Sequence, residues 1–261
     1  MAAPFISTDA LILREVRYKE ADRILTLLTS SSGLITAKAQ GALRQKSRLA
    51  ASTQQLTYSD TVLFENRGYM TVKEATVKED FAGLREDFLN YSLGCYFAEC
   101  IEALLPENTP EQSVMQLALN SLFALSHNLH SPEKIKAVFE LRLMSILGYA
   151  PNLDRCCVCG KAEPDSPVLC YETGHVCCRE CRNASSGLTD YLCAASLEAM
   201  RYIINCPPKQ ILSFDIDDDS LSRLGRACEH YLLSHADRRF STLDYWKSVR
   251  RFAQTPEKRN E

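Results

Sequence analysis

Along the first 80 residues, apolar positions come in short runs broken by turn residues. Leu, Ile, Val, Thr and Tyr concentrate over 10–16, 24–29, 34–39, 61–65 and 70–77. The stretches between them, 18–22, 30–33, 41–52 and 66–68, carry Gly, Ser, Asp, Asn and charged residues. Runs of this length and composition predict β-strands, and the Ser-rich turn ending at Gly33 predicts a hairpin. Five short strands in about 75 residues fit a small closed or partly open barrel.

From Phe81 the period changes. Phe81, Leu84, Phe88, Tyr91, Cys95, Ala98, Ile101 and Leu105 recur at three- and four-residue steps. That spacing puts them on one helical face, which ends at Pro106. Thr109, Pro110 and Gln112 supply a cap, a first-turn proline and a capping-box partner. The helix they start is expected to run to about Leu129. Ser131, Pro132 and Glu133 repeat the signal for a helix carrying Ile135, Val138, Phe139, Leu141 and Met144, which stops at Gly148. Two more amphipathic stretches, 196–205 and 220–234, are separated by Pro207 and Pro208. The expected organisation is α+β and multidomain: a barrel over 1–80, a helical domain over 81–150 and 188–250, an insertion over 151–187, and a disordered tail over 251–261.

Charge refines this picture. Residues 1–78 hold 11 Lys/Arg and 7 Asp/Glu, a net of +4, so the remainder carries −7 of the total −3. A mildly basic N-terminal unit is therefore joined to an acidic body. No stretch approaches the ~18 apolar residues of a spanning helix. Asp9, Arg14 and Glu15 stand where a signal peptide needs its apolar core. The expectation is a cytoplasmic protein with no membrane partner.

The strongest chemical signal is in the cysteines. Eight of the twelve lie between Cys156 and Cys193, and clustering of that kind favours a metal over disulfides. Cys156, Cys159, Cys178 and Cys181 form two x2 pairs separated by eighteen residues. A two-residue gap lets one tight turn aim two sulfurs at a single ion, and a second such turn completes a tetrahedron. These four are the candidate ligands of a structural Zn2+. Cys157, Cys170, Cys177 and His175 lie close enough in sequence to leave the register open. Four thiolates fill the coordination sphere, whereas a catalytic zinc keeps a position for water. No phosphate-binding loop, G-x-S-x-G, H-E-x-x-H or deaminase H-x-E pattern occurs. The reading is a protein without an active site.

A second signal is basic. Lys38, Arg44, Lys46 and Arg48 fall within eleven residues, and no acidic residue occurs from Thr36 through Ser59. Interleaved with Gly, Ser and Gln, they suit a mobile loop that grips phosphates. Arg14, Arg17, Lys19 and Arg23 extend the patch along the first hairpin. Tyr18, Phe64 and Tyr69 are candidate stacking surfaces for unpaired bases. The alternative is a zinc-stapled interaction or regulatory protein whose basic loop is ordinary solvated surface.

The order of these features resembles the RecO family of bacterial recombination mediators. The residues carrying the match are 10–13, 22–29 with Gly33, Gly41 and Arg44 with Ser47 and Arg48, and 139–151 leading into Cys156 and Cys159. The resemblance implies an N-terminal OB-fold, an α-helical domain and a zinc-ribbon-like insertion. It also implies binding of single- and double-stranded DNA, annealing of complementary strands, and help in loading the RecA recombinase onto strands coated by single-strand-binding protein. Its partners would be RecR and the acidic tail of the single-strand-binding protein, for which Lys134, Lys136 and Arg142 are candidate contacts. Leu43 departs from the family pattern, which commonly has a second basic residue there.

Overall fold

The computed structural model describes residues 5–182 and 187–254. Five strands, β1 (Phe5–Tyr18), β2 (Asp22–Thr29), β3 (Gly33–Ala39), β4 (Tyr58–Asn66) and β5 (Tyr69–Glu79), close into a barrel of order β1-β2-β3-β5-β4. All neighbours are antiparallel except β3 and β5, whose parallel pairing of Ala37, Lys38 and Ala39 with Met70, Thr71 and Val72 closes the cylinder. This is an OB-like barrel. Alternation drives it: Ala10, Ile12, Leu25, Leu27, Ile35, Ala37, Leu63 and Val72 point inward and are buried together. Gly33 makes the β2–β3 turn at φ +68°, and a Cβ there would stand 2.2 Å from the Thr109 carbonyl oxygen. Only glycine fits both the backbone and the space.

Residues 40–57, between β3 and β4, are a succession of tight turns. Arg44, Ser47, Ala50, Gln54 and Thr57 each donate a backbone hydrogen bond to the residue three before. Gly41 donates to the Asp22 carboxylate at 2.7 Å, Leu43 to the Ala21 carbonyl, and Leu56 to Ile12. The mobile loop of the sequence reading is corrected: the segment is hydrogen-bonded to the barrel at both ends.

The helices are α1 (Ala82–Glu86), α2 (Phe88–Leu104), α3 (Gln112–Ser126), α4 (Pro132–Ile146), α5 (Ala194–Asn205), α6 (Asp218–Ala236) and α7 (Ser241–Gln254). The single helix expected from Phe81 is split, because Asp87 takes an extended conformation and caps α2 by accepting from Leu89 and Asn90. Thr109 does not cap α3; the Glu111 carboxylate accepts from Ser113 instead. Ser131 caps α4 as its sequence signal predicts, accepting from Lys134. Asp217 caps α6 through Ser220. Helix α7 was not anticipated, and its residues 251–254 replace part of the expected tail. The rest of that tail, 255–261, lies outside the described residues.

The chain divides into two compact units, 1–118 with 240–261, and 119–239. In the first, α2 packs on β1 and on α7. Trp246, Phe240 and Leu243 from α7 and the residue before it are buried, and Phe240 meets Tyr96 edge-on at 5.8 Å. In the second, α4, α5 and α6 pack together beside a small sheet of β6 (Val168–Cys170), β7 (His175–Cys177) and β8 (Thr189–Tyr191), in the order β7-β6-β8. Among the described residues no helix is long and apolar enough to cross a membrane.

Candidate functional site

The cysteines come first. Cys156 and Cys159 sit on a turn after Leu153, while Cys178 and Cys181 follow directly from β7. Their four sulfurs lie within 4.8 Å of one another. A tetrahedral four-thiolate zinc with bonds of about 2.3 Å requires sulfur–sulfur edges of about 3.8 Å. The Cys159 and Cys178 sulfurs are 3.8 Å apart, so the donor set and its spacing fit a metal ion of this kind. Cys157, Cys170, Cys177 and His175 stand outside the cluster. Cys170 and Cys177 are buried 3.9 Å apart behind it, and His175 turns Nδ1 to the Thr173 carbonyl.

Backbone donors prepare the site. Cys159 and Cys178 point their N–H groups at the Cys156 sulfur, at 3.5 and 3.4 Å. Burial works against a thiolate at Cys156, but these donors and Val158 outweigh it and bring the thiol down to about 6. Cys181 moves the other way, up to about 12, chiefly through its hydrogen bond with Cys159. The backbone donors thus favour a thiolate at Cys156, and a divalent cation held there would draw the remaining protons off.

The basic residues separate into two groups. Arg14 makes a forked ion pair with Glu102 of α2. Arg23 donates to the Ala50 carbonyl and Thr53 hydroxyl and pairs with Glu15 at 3.2 Å. Both hold the fold together. Lys38 pairs with Asp22 at 2.8 Å, and that ammonium, with the Gly41 N–H, holds the Asp22 carboxyl below its ordinary range. Arg17, Lys19, Arg44, Lys46 and Arg48 are exposed and make no ion pair among the described residues.

The barrel adds members that sequence reasoning missed. Lys38 pairs in register with Thr71, Thr71 with Phe64, and Phe64 with Phe5. These four form one row across four strands, outside the inward set. Phe5 stacks on Phe64 at 5.1 Å, and Lys73 lies 5.1 Å over the Phe64 ring. At the other end Lys19 and Lys38 lie 5.4 and 5.5 Å over Tyr18. Between the two clusters is a groove of about 270 Å³ lined by Gln40, Gly41, Arg44, Leu49, Thr71, Val72 and Lys73. Tyr69, the first residue of β5, is 79% exposed. In sequence Lys73 stands in a run of mixed charge with Glu74, Lys78, Glu79 and Asp80; only the closure of β5 on β3 brings it to Arg44.

The three cations assigned to a partner peptide are internal, which corrects that assignment. Lys134 reaches the Phe214 carbonyl and lies 4.4 Å over its ring. Lys136 is buried between Glu140 and Glu229, at 2.7 and 2.9 Å. Arg142 donates to the Ile203 and Ile204 carbonyls at the end of α5. Each sits on a packed face of α4, where helical periodicity alone does not distinguish a solvated cation from one with a buried acceptor.

A closed five-stranded barrel with an exposed basic and aromatic band, joined to a helical body bearing a four-cysteine cluster, defines the class of protein: an OB-like barrel fused to a cysteine-bearing helical body. Residues 1–81 match the model for the N-terminal part of recombination protein O, and residues 85–244 the model for its C-terminal part. The chain is 32% identical over 247 residues to a DNA repair protein RecO of Acetivibrio thermocellus, covering 95% of this chain and 98% of the relative. A DNA repair protein RecO of Symbiobacterium thermophilum is 29% identical, covering 94% and 97%, and one of Heliobacterium modesticaldum is 35% identical, covering 78% and 75%. The chain belongs to the RecO family of DNA repair proteins.

Proposed function

We propose that the chain is a recombination mediator that binds single- and double-stranded DNA and anneals complementary strands. In this role it acts with RecR, engages the acidic tail of the single-strand-binding protein, and helps load the RecA recombinase. The supporting observation is the band on the barrel. Phosphates are met by Lys38, Arg44, Lys46, Arg48 and Lys73, with Arg17 and Lys19 at one margin, while Tyr18, Phe64 and Phe5 offer faces for bases. Stacking is tolerant of sequence and phosphate contacts carry none, so binding is general rather than sequence-specific. Neutralised phosphates lower the repulsion between two strands held on one surface, and annealing follows without nucleotide hydrolysis.

In this reading the four cysteines hold a structural Zn2+ that fixes the shape of residues 151–187 and takes no part in contacting DNA. Arg14, forked on Glu102, and Arg23, bonded to Ala50 and Thr53, leave the DNA-binding set, whereas Lys38 stays because its pairing with Asp22 leaves the ammonium over Tyr18. Lys134, Lys136 and Arg142 leave the partner set, because each already has an internal acceptor.

The test reverses charge at Arg44, Lys46 and Arg48 together. Affinity for single strands should fall, and the slope of log K against log salt should lessen by about 2, at roughly 0.7 per lost phosphate contact. An unchanged affinity and slope would remove the turn segment from the interface. Wild-type protein that fails to anneal complementary strands at any salt concentration would favour the interaction protein without DNA.

A further inference from the structure

The two halves of the cysteine cluster are held in different ways. Cys178 and Cys181 follow β7, whose pairing with β6 fixes their turn, and Arg179 adds a backbone bond to the Asp165 carbonyl at 3.0 Å. The turn bearing Cys156 and Cys159 has no strand of its own. Its backbone ties include an isolated bridge from Asn152 to His175, a Cys157–Val176 bond, a Gly160–Cys156 bond within the turn, and a Cys156–Lys161 bond across its base.

Arg201, on α5, supplies what the sheet does not. Its Nε donates to the Leu153 carbonyl at 2.9 Å. One terminal nitrogen donates to the carbonyls of Asp154 and Ala162, at 3.3 and 2.9 Å. The other donates to the carboxylates of Glu163, at 3.0 Å, and Glu198. A guanidinium has five N–H donors in a rigid plane, and here five acceptors meet them. Leu153 and Asp154 precede Cys156; Ala162 and Glu163 follow Cys159. One planar group therefore grips both ends of the turn, and its side chain is only 18% exposed. Helix α5 is itself anchored, since Arg142 of α4 caps its last carbonyls.

We propose that Arg201 is the positioning residue of the metal centre, setting the first cysteine turn in its binding geometry before the ion arrives. The proposal rests on the reading of the four cysteines as a metal site. It touches no ligand and acts through the separation of residues 154 and 162. A lysine at 201 would keep the charge but not the planar fork, since its three donors radiate from one atom. Groups that orient metal ligands from behind typically change affinity 10–100-fold when removed, and preorganisation is the reason.

The experiment uses the full chain with Arg201→Lys and Arg201→Gln. Zn2+ affinity is measured by competition with a chromophoric chelator, Co2+ spectra report the ligand set, and thermal unfolding of the metal-free forms reports the body. The expected result is a 10–100-fold loss of affinity in both variants. At saturation the cobalt–thiolate bands should keep four-sulfur intensity, and the metal-free forms should lose less unfolding free energy than the loss of affinity represents. Affinities within twofold of wild type would overturn the proposal. So would an affinity loss matched by an equal loss of metal-free stability, which would make Arg201 a general strut. Should the Arg201 variants not fold, Glu163→Ala decides: its carboxylate is 73% exposed, and removing it should weaken Zn2+ in the same direction by a smaller factor, whereas no change overturns the idea. Wild-type protein giving no four-thiolate cobalt spectrum would instead refute the metal site itself, and positioning with it.

Discussion

Arg23 and Arg44 carry the same guanidinium and meet opposite surroundings. Arg23 has only 12% of its side chain exposed and is consumed by Glu15, Ala50 and Thr53; Arg44 stands in water over Gly41. Charged hydrogen bonds of the first kind are each worth about 1.5–3 kcal/mol. Arg23→Ala should therefore lower unfolding stability in urea by roughly that amount, while Arg44→Ala leaves stability alone and weakens DNA binding. Equal effects of the two on both measurements would contradict the division. Lys136 offers a second contrast. Burial disfavours its charge, yet Glu140 and Glu229 outweigh that and raise its pKa. A lysine raised on folding contributes stability in full below its unfolded value of about 10.4 and loses it only as pH climbs through the folded value. Lys136→Met takes the lysine cation out of this buried group and should cost about 3–5 kcal/mol near neutral pH, read from urea denaturation. Both carboxylates then favour protonation, so the loss should shrink as the pH is lowered.

At the scale of elements, what the sequence disclosed follows from where each signal is local. The five strands are readable because short runs rich in β-branched and aliphatic residues are bounded by turn residues, and the bounds of β2 and β3 differ from expectation by two residues or fewer. The cap of α4 was readable because Ser131 and Pro132 act within one turn. The row from Lys38 to Phe5 was not, since it exists only after β3 closes on β5 in parallel and β4 on β1. The same limit hid Arg201, whose five acceptors come from both flanks of the cysteine turn and from its own helix. Conversely, charge on α4 misleads: Lys134, Lys136 and Arg142 look like surface until Phe214, Glu229 and Ile203, distant in sequence, are in place. Helix α7 was marked by Phe240, Leu243 and Trp246 at three-residue steps, a signal muted by the Arg residues between them and its end.

For the whole molecule, the cysteine cluster, read as holding a metal ion, and the basic band belong to different units. Removing the ion should loosen 151–187 first, seen as faster amide exchange there, and leave protection across β1–β5 as it was. Zinc modules owe about 10–16 kcal/mol of apparent folding free energy to the ion, so the change should be large and confined. DNA binding by the stripped protein at low salt should persist. Loss of barrel protection on chelation would mean that the cysteines support more than their own lobe.

The first unit is made of two distant stretches of chain, and that has a bearing on biosynthesis. Helix α2 leaves the ribosome well before α7, its packing partner, with about 140 residues translated between them. At bacterial elongation speeds of up to about 20 residues per second, that interval is on the order of ten seconds. Throughout it the nascent barrel exists without the Phe240, Leu243 and Trp246 side chains that later bury against its neighbours. Residues 119–239 can collapse in that window, so the first unit is expected to mature last, although its strands are made first.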